Sequence, residues 1–173
     1  MNKVHLIEAP LEVEFEIAEN NPQDFGREYD TIGESDDDAI GQWLRVAKAK
    51  GETSDSDPVV LHLIVELYRK IDRLEQIITG TAPTYFPLNK KVLISRIGFE
   101  HFEIMEPLFE DGKQYYGRIV LPLQNKKVVP LYFEAQSTTL AKIVRVHSRD
   151  EKEWGAYARS KERIKIRQLK GNV

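Results

Sequence analysis

The clearest pattern of apolar and polar positions lies in the middle of the chain, where residues 57–79 predict one long amphipathic helix. Asp57 can cap its first turn, Pro58 suits its first position because a missing N–H costs nothing there, and Gly80 ends it. Apolar side chains recur at intervals of four and three residues, a heptad repeat with isoleucine at a and leucine or valine at d, which favours parallel self-association. These residues are Val60, Ile64, Leu67, Ile71, Leu74 and Ile78.

The residues beside this seam leave more than one interpretation of the helix open. Lys70 at g and Glu75 at the following e could pair across a parallel interface. Leu61, Leu63 and Tyr68 widen the apolar face of the first half, so one partner helix cannot cover it. The helix must therefore also pack on the β structure of its own chain or join a larger bundle. A seam that is wholly the core of its own chain is the alternative to self-association.

The first fifty residues predict an acidic α/β region. Residues 3–8 and 11–17 look extended and are separated by Pro10, and the second segment alternates strictly between apolar side chains and glutamates. Residues 18–34 predict a loop. A short helix is then expected to start near Ser35, whose hydroxyl can cap it.

Three aspartates at 36–38 would stabilise the positive end of that short helix, and Gly51 would stop it. Residues 51–56 predict a flexible polar linker. This linker divides the acidic region 1–50 from the long helix 57–79 and from a C-terminal domain 80–173.

After Gly80 the sequence predicts a small antiparallel β-barrel. Turn signals at 110–113, 124–126 and 149–151 leave no room for crossover helices. A short basic helix from Ser160 to Lys170 closes the chain, so the predicted fold class is α+β. The candidate strands are 91–97, 99–105, 115–121, 128–134, 139–147 and 154–159.

Composition narrows the class of protein. The chain of 173 residues has no cysteine, which excludes a disulfide scaffold, thiol catalysis and cysteine-ligated zinc. We expect a cytoplasmic location, because no apolar run approaches the roughly 20 residues of a membrane helix and the first residues lack a signal peptide's apolar segment.

The net charge of −3 hides an asymmetry: residues 1–57 carry 15 acidic and 5 basic side chains, and the remainder 13 acidic and 20 basic. Two interpretations of this asymmetry stay open: the two parts have solvated surfaces of opposite charge, or the basic C-terminal part binds an anionic ligand.

Catalytic and metal-binding motifs are not found. The sequence has no phosphate-binding glycine loop and no nucleophile elbow, and its four histidines share no metal-ligand spacing. We therefore expect neither an enzyme nor a metal or cofactor site. The basic C-terminal residues lack interleaved aromatics, so a solvated helix face is expected rather than a nucleic-acid site. These residues are Arg159, Lys161, Arg163, Lys165, Arg167 and Lys170.

A family resemblance begins at Val92–Phe99, where Ser95, Gly98 and the apolar residue after it follow the pattern Asp/Asn-x-Ser-x-x-Gly-apolar. The other matching pieces, in chain order, are a glycine turn at 111–112, a strand ending in Leu-Pro at 121–122 and a strand at 141–146. With the closing helix they span 91–170 and resemble the PilZ domain family, bacterial receptors built on a small β-barrel that often bind cyclic di-GMP.

The resemblance implies candidate ligand residues. Ser95, Arg96 and Gly98 would contact the nucleotide, and the family's Arg-x-x-x-Arg is matched upstream only by Arg69 and Arg73, inside the heptad helix. Leu93 stands where the family has Asp or Asn, and its side chain cannot hydrogen-bond a ligand. Cyclic di-GMP is therefore the candidate ligand, with binding expected to be weak or lost.

The resemblance also implies a function. A divergent subset of the family carries a long heptad helix, assembles through it and lacks the nucleotide-binding motifs, and this sequence is similar in both respects. It implies a non-enzymatic regulatory or adaptor protein in cyclic di-GMP-type signalling, controlling motility, pili, flagella or biofilm, with itself and another protein as partners. The alternative is a structural scaffold or interaction module without a nucleotide ligand, whose partner interface is the acidic N-terminal region.

Overall fold

The computed structural model describes residues 4–35, 39–123 and 126–171. Six strands and four α-helices are present in these ranges, so the α+β fold class is confirmed. In chain order the elements are β1 (Ile7–Ile17), a 3-10 turn (Ala18–Asn20), α1 (Pro22–Ser35), α2 (Ala39–Ala49), α3 (Pro58–Thr79), β2 (Lys90–Ile97), β3 (His101–Ile104), β4 (Gln114–Leu121), β5 (Lys127–Ala135), β6 (Leu140–Val146) and α4 (Ser148–Gly171).

The strands close into one antiparallel barrel in the order β1-β2-β3-β6-β5-β4. β1 completes it, because it pairs with β2 on one side and with β4 on the other. The alternation of apolar and acidic residues along β1 explains why this strand belongs to the barrel. Leu11, Val13 and Phe15 point into the core, while the glutamates between them lie outside. Closure leaves the barrel without a long open edge.

The predicted division between an N-terminal region 1–50 and a C-terminal barrel is wrong for β1. Pro10 does not separate two strands, because it lies at an irregularity in the pairing between Glu8 and Leu11 within one continuous strand. A bulge is one of the few places in a sheet that tolerates a proline. The barrel is therefore built from both sides of the predicted boundary.

Two further elements correct the sequence prediction. Residues 18–34, expected as a loop, form the 3-10 turn and α1, because Pro22 starts a helix and Phe25 and Tyr29 bury one face of it. The candidate strand 154–159 lies inside α4, where Trp154, Tyr157 and Ala158 pack at helical spacing against the barrel. The expected short helix 160–170 is the end of this 24-residue helix. Ser35, expected to start a helix, is instead the last residue of α1, and the following helix α2 begins at Ala39. The aspartates at 36–38 lie outside the described residues, as does most of the turn at 124–126.

Aromatic rings fill the barrel interior. Phe133 packs edge-on to Phe102, with ring centroids 4.9 Å apart, and stacks on Tyr115 at 5.4 Å. Trp154 of α4 lies against one end of this core and donates its indole N–H to the Gly98 carbonyl at 2.9 Å. Gly98 has no room for a side chain, because a Cβ there would come within 2.7 Å of the His5 carbonyl oxygen.

The long helix α3 is confirmed with the predicted ends. The Asp57 carboxylate accepts from the backbone N–H of Val59 at 2.8 Å, and Gly80 ends the helix in the left-handed conformation at φ 71°. Residues 51–56 form turns that join α2 to α3, and the two helices pack together as a hairpin.

Candidate functional site

The apolar seam of α3 faces solvent. We call its six residues the α3 stripe, and each keeps at least half of its surface exposed. The exposed fractions are Val60 51%, Ile64 55%, Leu67 58%, Ile71 58%, Leu74 54% and Ile78 83%. Large exposed apolar patches are uncommon on monomeric proteins, so the α3 stripe is the candidate site.

The opposite face of α3 is the one that packs within the chain. Val65, at heptad position b, is 6% exposed, and Ala47 is the buried residue of α2. Glu66 and Arg69 form an ion pair on the same side of the helix at 2.8 Å. Because b, c and f lie across the helix from a and d, the stripe points away from α2. The interpretation of the seam as intramolecular core is therefore wrong.

The exposed apolar surface extends beyond the stripe. Leu63, Tyr68 and Ile77 flank it on α3, and Trp43 and Val46 on α2 are 60% and 53% exposed. Of the residues predicted to widen the face, Leu63 and Tyr68 are therefore exposed and Leu61 is half-buried, and α2 adds exposed apolar residues that the sequence did not indicate.

The predicted ligand residues on β2 are already bonded to the barrel. Ser95 donates its hydroxyl proton to the Glu103 carbonyl at 3.2 Å, and the Arg96 guanidinium pairs with the Glu103 carboxylate. The Gly98 carbonyl accepts from Trp154, as described above. Ser95 and Arg96 near the end of β2, and Gly98 just after it, are thus held in structural contacts.

The two candidate arginines of α3 have other surroundings. Arg69 pairs with Glu66 on its own helix. Arg73 lies near Tyr85, where its charge opposes the rise that burial causes in the phenol's pKa. Tyr85 and Lys91 line the same hollow. Lys91 precedes Arg96 by five residues on β2, a separation of about 17 Å along an extended strand. The structure therefore places Arg73 near Tyr85, and Ser95 and Arg96 beside Glu103.

A buried ionic cluster, not predicted from the sequence, links α1 to the barrel. Glu28 of α1 accepts from the Tyr116 hydroxyl at 2.6 Å and from the Arg118 guanidinium at 2.9 Å, and a second nitrogen of that guanidinium donates to Glu14 at 2.8 Å. The Phe86 backbone N–H donates to Glu28 at 2.7 Å. We call Glu14, Glu28, Tyr116 and Arg118 the Glu28 cluster.

Burial sets the electrostatics of the Glu28 cluster. The side chains of Arg118 and Glu28 are only 6% and 10% exposed. Burial acts to lower the pKa of Arg118, but hydrogen bonds to Glu14 and the charge of Glu28 outweigh it and raise the pKa. Burial and the hydrogen bond to Glu28 raise the pKa of Tyr116, so the phenol stays neutral. The arrangement is that of a fixed structural contact.

The sequence does contain a signal for this cluster. Arg118 stands alone among apolar residues in β4, and a buried arginine requires a carboxylate partner. The alternation of β1 marks Glu14 as outward-facing, but nothing local indicates that Glu28, on a segment expected to be a loop, closes over it.

His147 makes structural contacts with α1. His147 stacks on Tyr29 with ring centroids 3.9 Å apart, its Nε2 lies 2.8 Å from the Tyr29 carbonyl oxygen, and Gly33 leaves room for the ring. Within residues 4–35, 39–123 and 126–171, no group of three or more histidine or acidic side chains could hold a metal ion. Nor is any helix in the described part of the chain long and apolar enough to cross a membrane.

Comparisons with known proteins give one distant likeness. No protein-family model matches the chain, and no match was found among curated proteins. Among solved structures, the chain is similar to a pathogenic protein from Xanthomonas campestris, described as a new tetrameric PilZ domain self-assembled via an unusual helical bundle. The two share 12% sequence identity with a TM-score of 0.38, over 98% of this chain and 92% of that one. A likeness this distant carries over neither a ligand nor an assembly.

Proposed function

We propose that this chain is a non-enzymatic assembly protein whose copies associate through the α3 stripe and display their barrels outward. The observation that supports it best is the exposure of all six stripe residues on a helix that is otherwise capped and packed. A regular seam that its own chain leaves uncovered needs a partner of the same geometry, and a second copy supplies one.

The energetics favour association. Burying apolar surface yields about 25 cal/mol per Å², and completing the burial of a half-exposed isoleucine or leucine contributes on the order of 1 kcal/mol. Each copy brings six such residues to the interface. Their sum is comparable to the roughly 4–15 kcal/mol that association costs in lost freedom of motion, before the flanking residues are added.

The pattern of the seam indicates the geometry of the proposed assembly. Isoleucine at a with leucine or valine at d favours parallel helices, and Lys70 and Glu75 then pair between copies. Leu63, Tyr68 and Ile77 remain exposed beside the seam, so we propose a bundle of more than two helices rather than a bare pair.

The barrel, in the same proposal, is a regulatory or adaptor module of the PilZ type in cytoplasmic signalling, with cyclic di-GMP binding weak or lost. Three observations support this. Leu93 is 47% exposed at the position where the family has a hydrogen-bonding residue, Ser95 and Arg96 are held by Glu103, and Arg73 lies near Tyr85. The alternative, a scaffold without any nucleotide ligand, shares the same assembly and differs only at the barrel.

Light scattering tests the assembly. We expect the intact protein to be a multimer and Ile71→Asp to be a monomer with unchanged circular dichroism, because a charge in the seam costs several kcal/mol on burial. The matched control is Leu93→Asp, which places the same charge on an exposed apolar residue of the barrel and should leave the multimer intact. An intact protein that is monomeric at high concentration contradicts the proposal.

Calorimetric titration with cyclic di-GMP tests the barrel. We expect little or no heat. Micromolar binding that Arg69→Ala or Ser95→Ala abolishes would show that the predicted ligand residues do act together, and would overturn the proposed loss of nucleotide binding. Light scattering on the same samples keeps this result separate from the question of assembly.

A further inference from the structure

The strand β6 runs past its neighbour β3. β3 has only four residues, and its pairing with β6 covers Leu140, Ala141 and Lys142. One further bond joins the Ile143 N–H to the Glu100 carbonyl at 2.8 Å. β6 continues to Val146 and stays paired with β5 on its other side, with an irregularity in the register opposite Val144. The last residues of β6 therefore border an opening in the barrel wall and not a strand.

A cavity of about 300 Å³ fills this opening. Its floor is apolar and buried: Val129, Leu131 and Trp154 are each at most 3% exposed. The indole N–H of Trp154 is already bonded to the Gly98 carbonyl, so this ring leaves no unbonded polar group at the floor of the cavity. The volume lies at the lower end of the range for ligand sites and suits one aliphatic or aromatic side chain.

The mouth of the cavity carries exposed apolar and acidic groups. Phe99 and Val144 are 54% and 44% exposed at its edge. Glu100 and Glu151 contribute carboxylates. Arg145, the one cation lining the described cavity, has a 60% exposed side chain, and its guanidinium carbon lies 4.5 Å from the Tyr29 ring centroid. The lining therefore carries two carboxylates and one cation, which is a net negative charge.

We propose that this opening is a docking site for an extended peptide, which adds as a strand along the end of β6 and places one apolar side chain in the cavity. Lysine or arginine residues on either side of that anchor would meet Glu100 and Glu151. Adding a strand to an open edge supplies backbone hydrogen bonds for affinity, while the pocket and the carboxylates select the sequence. The site lies on the barrel and does not depend on assembly through α3.

Trp154 makes the proposal directly measurable. The chain has two tryptophans, so Trp43→Phe leaves Trp154 as the sole source of tryptophan fluorescence. The probe is the synthetic peptide acetyl-Lys-Thr-Leu-Thr-Lys-amide. We expect saturable binding with a change in Trp154 emission, in the intact protein and equally in the Ile71→Asp background. Equal binding in both backgrounds separates this site from the proposed assembly.

Two matched peptides and one variant complete the test. A peptide with both threonine amides methylated keeps the side chains but cannot pair as a strand, and we expect it to bind at least about tenfold more weakly. A peptide with glutamate in place of lysine should lose binding similarly, and Glu100→Lys with Glu151→Lys should reverse the preference. Absence of binding at millimolar peptide, or equal binding of the methylated peptide, would overturn the proposal.

Discussion

In the barrel, Phe15, Phe102 and Phe133 have no exposed surface, whereas on α3 every residue of the stripe keeps at least half of its surface in solvent. The difference follows from how each pattern is completed. The strands of the barrel pair with one another and bury their own apolar side chains, and β1 closes the barrel by pairing with both β2 and β4. A heptad seam is completed only by another helix, and α2 packs on the far side of α3. The apolar residues therefore form a core in the barrel, whereas on α3 they form the exposed seam through which we propose that copies associate.

The largest expected effect contrasts one residue from each region. Phe133→Ala should lower the free energy of unfolding by about 4 kcal/mol, because it empties a space in contact with Phe102 and Tyr115. Ile71→Ala should lower it by less than about 0.5 kcal/mol in the unassociated chain, where its side chain is 58% exposed. Urea unfolding at concentrations where light scattering shows a monomer measures both. Equal costs would erase the distinction between the regions.

The second effect tests the fixed contact between α1 and the barrel. Arg118→Ala leaves Glu28 buried without its cation, and breaking a buried pair in this way costs about 3 kcal/mol. Arg118→Met, which fills the same space, should cost nearly as much because the carboxylate stays unpaired. Urea unfolding measures the loss of unfolding free energy. A loss below about 1 kcal/mol in both variants would show that Glu28 is not buried against Arg118.

The third effect is the loss of one hydrogen bond in that cluster. Tyr116→Phe removes the 2.6 Å bond to Glu28 and leaves the aromatic packing in place, which should cost about 1.5–2 kcal/mol. Tyr68→Phe on α3, where the side chain is 51% exposed, is the matched control and should cost almost nothing. The same unfolding experiment compares them, and similar losses for the two variants would contradict this account of Tyr116.

Alkaline pH should weaken the barrel through its tyrosines. Burial raises the pKa of Tyr29, Tyr115, Tyr116, Tyr132 and Tyr157 above 10, so these phenols stay neutral in the folded state but ionise in the unfolded state. Their contribution is fully present below pH 10 and is lost as the pH rises through the folded-state values, by up to about 1.4 kcal/mol per pH unit for each group. Phenolate absorbance and urea midpoints measured across pH 10 check this. Ionisation of all tyrosines near pH 10 without unfolding would contradict it.

The smallest effect is at the exposed ion pair on β2. Arg96→Ala removes a pair whose arginine side chain is 48% exposed, so the stability should change by less than about 1 kcal/mol and even less at high salt. Urea unfolding at two salt concentrations measures it. A loss as large as that of Arg118→Ala would show that burial does not separate the two arginines.

Local signals predicted the elements whose partners are near in sequence. Asp57, Pro58 and Gly80 bound α3 as expected, and five of the six candidate strands after Gly80 lie in the barrel, because caps, turns and alternation act over a few residues. Contacts across the chain were not predictable in this way. The place of β1 in the barrel and the bond between Glu28 and Arg118, 90 residues apart, depend on closure of the whole fold. The segment around Pro22 was expected to be a loop because proline is common in loops, although it also starts helices. The segment around Trp154 was expected to be a strand because aromatic residues are common in strands, although they also pack on the buried face of helices.

The assembly seam itself can be tested most directly with single cysteines, because the chain has none of its own. Ile64→Cys lies at position a of the stripe, and His62→Cys lies nearby on the opposite side of α3; both residues are exposed in the single chain. If copies meet in parallel along the stripe, oxidation should join Ile64→Cys into disulfide-linked dimers while His62→Cys stays monomeric on a non-reducing gel. Rapid cross-linking of both variants, or of neither, would contradict assembly through the α3 stripe.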